Sequence, residues 1–144
     1  MAEASQEPRK PLPEITELTA PFWQAAREGR LVMQRCRACG GLVWCPRPSC
    51  VECGGEDLEW DQLSGRGTVY SFTIIRQLAG RGARAFEKDI PYVIAWVDLE
   101  EGPRFYTNIV ECPVDEVEIG MAVEVVFDPA SDDISLPKFR PRKG

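Results

Sequence analysis

Two copies of one short motif constrain this chain more than anything else in it: Cys36-Arg-Ala-Cys39-Gly-Gly and Cys50-Val-Glu-Cys53-Gly-Gly. A CxxC pair closes a tight knuckle that turns both thiolates towards one point, and the glycines behind it permit the turn. Ten residues lie between the pairs, enough for a short hairpin that brings the knuckles face to face. The expected product is a zinc ribbon. Its ligands are Cys36, Cys39, Cys50 and Cys53, in a closed tetrahedral site with no position left for water or substrate. Such a zinc is structural. Iron is the chemical competitor, because a tetrathiolate accepts both ions. Disulfides are another use for six cysteines. Residues 1–10 hold no apolar export segment, however, so the expected compartment is the reducing cytoplasm. Cys45 and Cys112 are read as small side chains outside the donor set.

The chain has no histidine. That removes every Ser-His-Asp and Cys-His arrangement and any imidazole-ligated metal. Acid–base work would fall to Asp, Glu, Lys, Tyr or Cys. Asp98, Glu100 and Glu101 cluster in sequence but read as a solvated hairpin end, so no catalytic residue is assigned. Seventeen Lys and Arg against 23 Asp and Glu leave a net charge of −6. This argues against nucleic acid, whose affinity comes largely from phosphate neutralisation. Lys138, Arg140, Arg142 and Lys143 read as a basic, solvated C-terminal tail. No apolar run approaches the roughly 20 residues that cross a bilayer, so no membrane association is expected.

Residues 1–18 are expected to be a flexible arm, polar and proline-rich over 1–14. Residues 19–35 hold a short helix and a lead-in strand from Leu31 to Gln34. Thr19 can cap that helix, Pro21 suits its first turn and Gly29 its C-terminal end. Phe22, Ala25 and Ala26 form its apolar stripe. The ribbon occupies residues 36–60. From 61 to 144 the pattern is that of strands. Tyr70, Phe72 and Ile74 share one face of Thr68–Arg76, and Val93, Ala95, Val97 and Leu99 one face of Tyr92–Leu99. Phe105, Thr107 and Ile109 do so in Arg104–Val110, and Val123, Val125 and Phe127 after Gly120. Four or five such strands joined by Gly and Pro turns predict a small closed barrel, which removes exposed strand edges. The fold class is therefore mainly β with an N-terminal helix. Residues 77–91 fit no strand. This long loop carries Arg81, Arg84, Lys88 and Phe86, and long loops in compact domains are commonly functional.

The ordered set of motifs resembles the DUF35 family. The matching pieces are APFW (Ala20–Trp23), GRLVMQRC (Gly29–Cys36), the two knuckles and LEW (Leu58–Trp60). They continue through SGRGTVYSFT (Ser64–Thr73), PYVIAWVDLEEG (Pro91–Gly102), IGMAVEVVF (Ile119–Phe127) and LPKFRP (Leu136–Pro141). Each piece is weak alone, whereas the ordered set, from about Thr19 to Pro141, is specific. Cys45 departs from the pattern, because relatives commonly have proline there. The resemblance implies a rubredoxin-like zinc ribbon followed by a five-stranded OB-fold barrel. It further implies an accessory subunit of a thiolase-like acyl-CoA enzyme, such as a thiolase or a thiolase-like aldolase of steroid side-chain degradation. On that reading the ribbon and helix dock the partner in a hetero-oligomer. The barrel and the 77–91 loop then contribute to an acyl-CoA channel. Arg81, Arg84 and Lys88 would meet CoA phosphates, and Phe86 would lie against the acyl or adenine part. The other class of function open to such a chain is single-strand nucleic-acid binding, with Tyr70, Phe72, Trp96, Phe105 and Tyr106 stacking bases. Exposure of these rings beside basic side chains is the discriminating observation.

Overall fold

The structure, a computed structural model, describes residues 9–143. Of the expected arm, residues 1–8 lie outside the described residues. Residues 9–16 have no regular structure, yet Lys10 reaches across to the 77–91 loop. Its Nζ lies 2.6 Å from Asp89 and 5.5 Å from the centre of the Phe86 ring.

Helix α1 spans Ala20–Arg27 and buries Phe22, Ala25 and Ala26 on one face. Thr19 occupies the N-cap position but makes no capping bond. Its hydroxyl instead accepts from the Thr16 amide at 3.0 Å. The C-terminal end follows the expected grammar. Gly29 adopts φ +79°, its amide donates to the Ala26 carbonyl, and the Arg30 amide donates to Ala25 at 2.9 Å. These two bonds satisfy carbonyls that the helix end would leave bare. Strand β1 (Val32–Cys36) is the centre of a small sheet, antiparallel to β2 (Leu42–Val43) on one side and to β3 (Leu58–Gln62) on the other.

Five further strands form a closed barrel: β4 (Arg66–Ile75), β5 (Tyr92–Leu99), β6 (Arg104–Ile109), β7 (Ala122–Pro129) and β8 (Ser135–Pro141). They close in the order β4-β5-β6-β8-β7, and β6 and β8 are the parallel pair. Val93, Ala95, Val97 and Leu99 point inward, as do Phe105 and Ile109.

Two expectations need correction. Tyr70 does not share a face with Phe72 and Ile74. The β4–β5 register shifts between Val69 and Ser71, so Val69 is buried and Tyr70 turns outward, while Phe72 and Ile74 pack on the core. A bulge adds a residue to one strand and breaks the simple two-residue alternation. Two of the four C-terminal cations are likewise not in a solvated tail. Arg142 and Lys143 follow the strand and are exposed, whereas Lys138 and Arg140 belong to β8 and flank the fully buried Phe139. Their heads stay wet on acidic partners. Lys138 pairs with Asp128 at 2.6 Å, and Arg140 pairs with Glu124 and Glu111 at 3.1 and 3.3 Å.

One apolar core runs through the molecule. Phe22, Leu31, Val32 and Met33 join Val69, Val93, Val97, Phe105 and Phe139 in a single cluster. Trp44, from the hairpin between the knuckles, wedges into it, 5.1 Å from the Phe22 ring and 5.0 Å from Phe105. At Gly67 the barrel wall is too close for any side chain: an added Cβ would stand 2.5 Å from the Asp98 carbonyl oxygen and 2.6 Å from Val97. Gly67→Ala is therefore expected to destabilise the barrel by about 1–3 kcal/mol. A lowered urea midpoint with an unchanged slope would show this.

Candidate metal centre and the groove beside it

The two knuckles have the same backbone. The Cys36 amide donates to the Gly41 carbonyl at 2.9 Å, and the Gly40 amide donates back to Cys36 at 2.8 Å. Cys50 repeats both bonds with Gly55 and Gly54, at 2.8 and 2.9 Å. Gly40 and Gly54 sit at φ +77° and +76°, a region that side chains other than glycine seldom adopt. The second glycine of each pair leaves room for sulfur. A Cβ on Gly55 would lie 3.3 Å from the Cys53 Sγ and 3.5 Å from that of Cys36. Arg35 supports the first knuckle, bonding the Gly40 carbonyl at 2.8 Å and Asp61 of β3 at 2.7 Å. The intervening hairpin is pinned by Gln34, whose buried amide accepts from the Arg47 N–H at 2.8 Å and donates to its carbonyl at 3.0 Å. A lone amide in a strand carries no sequence pattern, so the role of Gln34 is visible only in the fold.

All four sulfurs lie within 4.8 Å of one another, with Cys36–Cys53 and Cys39–Cys50 at 3.6 Å. A zinc–sulfur bond of about 2.3 Å gives a tetrahedron with edges of about 3.8 Å, so the donor set fits such an ion. Cys36 and Cys50 are buried, while Cys39 and Cys53 face outward. The thiols are poised unequally. The amides of Cys53 and Glu52 point at the Cys50 sulfur and draw its pKa down to about 7. At Cys39 the Gly41 amide pulls the same way, but the crowding Cys50 and Cys53 thiols outweigh it and push the value up to about 12. One thiolate forms readily and a second resists, which is the electrostatic condition that a bound dication relieves. Four thiolates would fill the coordination sphere, so the ion's contribution is to hold the fold. Cys45 and Cys112 lie outside the cluster. Burial, and then the charge of Glu116, raises the Cys112 pKa.

Beside the ribbon a groove of about 520 Å³ opens between α1, the hairpin and the barrel. Phe22, Trp23, Trp44, Cys45 and Pro46 line one side, and Phe86, Tyr92, Ile94, Tyr106 and Pro137 the other. Of the four loop residues singled out in the sequence, Phe86 reaches this groove. Arg81, Arg84 and Lys88 are exposed on the same loop, around the short 3₁₀ turn Ala83–Phe86, and do not line it. The proposed base-stacking set divides. Phe105 belongs to the core and Phe72 packs against it, whereas Tyr70, Trp96 and Tyr106 are exposed on the outside of the barrel. The cation beside them, Arg104, is bonded to Asp98 at 2.7 Å.

Comparison with known proteins agrees with this architecture. A model described as the rubredoxin-like zinc ribbon domain of ChsH2 matches residues 23–59, and one for the ChsH2 C-terminal OB-fold domain matches residues 60–128. A solved Ltp2-ChsH2(DUF35) aldolase superposes with a TM-score of 0.79 at 40% identity, covering 90% of this chain and 98% of that one. The chain belongs to the DUF35 family. Among the similar proteins, a probable enoyl-CoA hydratase alpha subunit of Thermomonospora curvata is 39% identical over 141 residues. The match takes in 96% of this chain but 43% of that protein, so the chain spans less than half the relative's length. Benzoylsuccinyl-CoA thiolase subunit BbsA of Geobacter metallireducens is 29% identical over 137 residues, covering 91% and 88% of the two chains.

Loss of one ligand should empty the site. Cys39→Ser is expected to fall from about one zinc per chain to almost none after dialysis, with the ribbon unfolding because metal binding supplies most of its folding energy. Metal analysis together with amide exchange over residues 32–62 would read both effects.

Proposed function

We propose that this DUF35 chain is a non-catalytic accessory subunit that seats on a thiolase-like acyl-CoA enzyme in the cytoplasm and contributes to acyl-CoA binding. The observation that carries the reading is the pairing of a closed four-cysteine cluster with an open apolar groove alongside it. A four-thiolate site has no vacancy for substrate, so its chemistry is structural. The groove is concave and largely apolar, the character of a ligand or partner site. The names of the relatives point the same way. One is a subunit of a CoA thiolase, another a subunit of an enoyl-CoA hydratase, and the solved neighbour is an aldolase containing a DUF35 chain. Degradation of a lipid or steroid side chain is the metabolic setting this favours, a steroid-type CoA hydratase subunit also being among the relatives.

Within that reading Phe86 offers its ring to the acyl or adenine part of the ligand. Arg81, Arg84 and Lys88 supply positive charge for CoA phosphates. Arg81 and Arg84 have no ion-pair partner among the described residues. A carrier loop with uncommitted guanidinium groups suits a polyanionic ligand better than a buried network would.

The deciding experiment is affinity capture of the tagged chain from its native host, with metal analysis of the same sample. Co-purification of a thiolase-like subunit with about one zinc per chain supports the proposal. Recovery of the chain alone, or with nucleic acid, overturns it. In the purified complex, replacing Arg81, Arg84 and Lys88 together with alanine is expected to raise the KM for acyl-CoA about tenfold or more, since charge-assisted bonds to phosphate are lost. Unchanged kinetics would remove the loop from CoA handling.

A further inference from the structure

The ribbon's four sulfurs differ in exposure in a regular way. In each knuckle the first cysteine, Cys36 or Cys50, is buried and the second, Cys39 or Cys53, is exposed. The exposed sulfurs are bare on the side of the second glycine. A Cβ at Gly41 would stand 3.4 Å from the Cys39 Sγ, and one at Gly55 would stand 3.3 Å from the Cys53 Sγ. The two sulfur pairs at 3.6 Å both cross between knuckles, Cys39 to Cys50 and Cys36 to Cys53. Each exposed cysteine thus has a buried one from the other knuckle as its neighbour.

An accessible thiolate beside a second thiol is the arrangement that takes up an oxidising equivalent and resolves it as a disulfide. We propose that Cys39 and Cys53 are oxidation sites for peroxide, resolved by Cys50 and Cys36, so that two cross-knuckle disulfides replace the metal in holding the ribbon together. The Cys39 thiolate attacks one oxygen of hydrogen peroxide, forming an S–O bond as the O–O bond breaks and hydroxide leaves. The Cys50 thiolate then attacks the Cys39 sulfur, the S–S bond forms, and a second hydroxide leaves. The two sulfurs give up two electrons, peroxide accepts them, and protons from solvent turn the hydroxides into water. Cys53 and Cys36 repeat the sequence with a second peroxide. With two donors committed to a disulfide, no tetrathiolate remains to retain a dication. Peroxide is uncharged, so the chain's net charge of −6 does not repel it.

The pairing decides what becomes of the fold. A disulfide of about 2.05 Å asks each cross-knuckle pair to close by about 1.5 Å. The pairs are 11 and 17 residues apart in sequence and nested around the hairpin. Nested links keep the knuckles face to face, with Trp44 still carried between Phe22 and Phe105. Links within the knuckles, Cys36–Cys39 and Cys50–Cys53, would leave no covalent or metal bridge from one knuckle to the other.

Treatment of the full, zinc-loaded chain with excess hydrogen peroxide tests this, with a chromogenic chelator to count released zinc and peptide mass mapping to place the disulfides. About one zinc per chain should be released, with Cys39 linked to Cys50, Cys36 linked to Cys53, and Cys45 outside both links. Amide exchange over residues 32–62 should stay within about twofold of the zinc form. The reduced chain stripped by a chelator should instead exchange about tenfold faster or more. Dithiothreitol with added zinc should restore the starting state. Cys45→Ser should give the same links, which separates the ribbon's chemistry from the exposed thiol of the hairpin. Zinc retained under peroxide, disulfides within the knuckles or to Cys45, or an oxidised chain as unprotected as the stripped one overturns the proposal. Capture of a thiolase-like subunit in the native host would be unaffected by that failure.

Discussion

The ribbon has almost no core apart from its metal site. Cys36, Val43 and Cys50 are the buried residues of its own cluster, with Leu58 packed against them, so two of the three are ligands. Burial of so little apolar surface cannot offset the backbone entropy of ordering two knuckles and a hairpin. Four thiols crowded within 4.8 Å would repel once ionised unless a cation stood between them. The ion therefore supplies what an apolar core supplies elsewhere. Much of the molecule rests on this. The hairpin between the knuckles carries Trp44 into the main core between Phe22 and Phe105. The same hairpin raises Trp44, Cys45 and Pro46 as one wall of the groove. A structural metal at the four cysteines would thus fix one wall of the groove without lining it.

The parts legible in the sequence are those encoded locally. A CxxCGG unit specifies its own turn, and its glycines appear at the positive φ angles the knuckle needs. The α1 stripe and the alternation in β5 and β6 announced which side chains are buried. What stayed hidden depends on partners distant in sequence. The β4 bulge is a property of the β4–β5 register, and nothing within Thr68–Arg76 marks where the alternation breaks. Strand β8 was obscured by its cations, because their acidic partners, Glu124, Asp128 and Glu111, lie 10 to 29 residues away in sequence. The groove is assembled from α1, the hairpin, the 77–91 loop, β5, β6 and β8. No window of sequence contains it. Thr19 is a smaller case: the composition of a cap was present, but Thr16 offered its hydroxyl a nearer partner.

The distribution of charge separates the surfaces by task. On the barrel, Arg104, Lys138 and Arg140 are each held by a carboxylate on a neighbouring strand, and Arg66 by Glu100 in the turn after β5. Exposed pairs of this kind are worth at most about 1 kcal/mol apiece, so stability does not explain the repetition. Their effect is to neutralise the sheet and leave aromatic and aliphatic area as its dominant character. The 77–91 loop is organised differently. Lys10 is drawn onto it by Asp89 and the Phe86 ring, while Arg81 and Arg84 project without a carboxylate partner among the described residues. An acidic chain thus keeps a local positive site on the segment whose aromatic ring enters the groove. Long-range repulsion from a net charge of −6 is screened beyond about 8–10 Å at physiological ionic strength. A polyanion arriving at this loop therefore responds to the guanidinium groups nearest it rather than to the chain's overall charge. That locality makes an acidic composition, which argues against an extended nucleic-acid track, compatible with the proposed binding of a compact phosphorylated ligand near the loop.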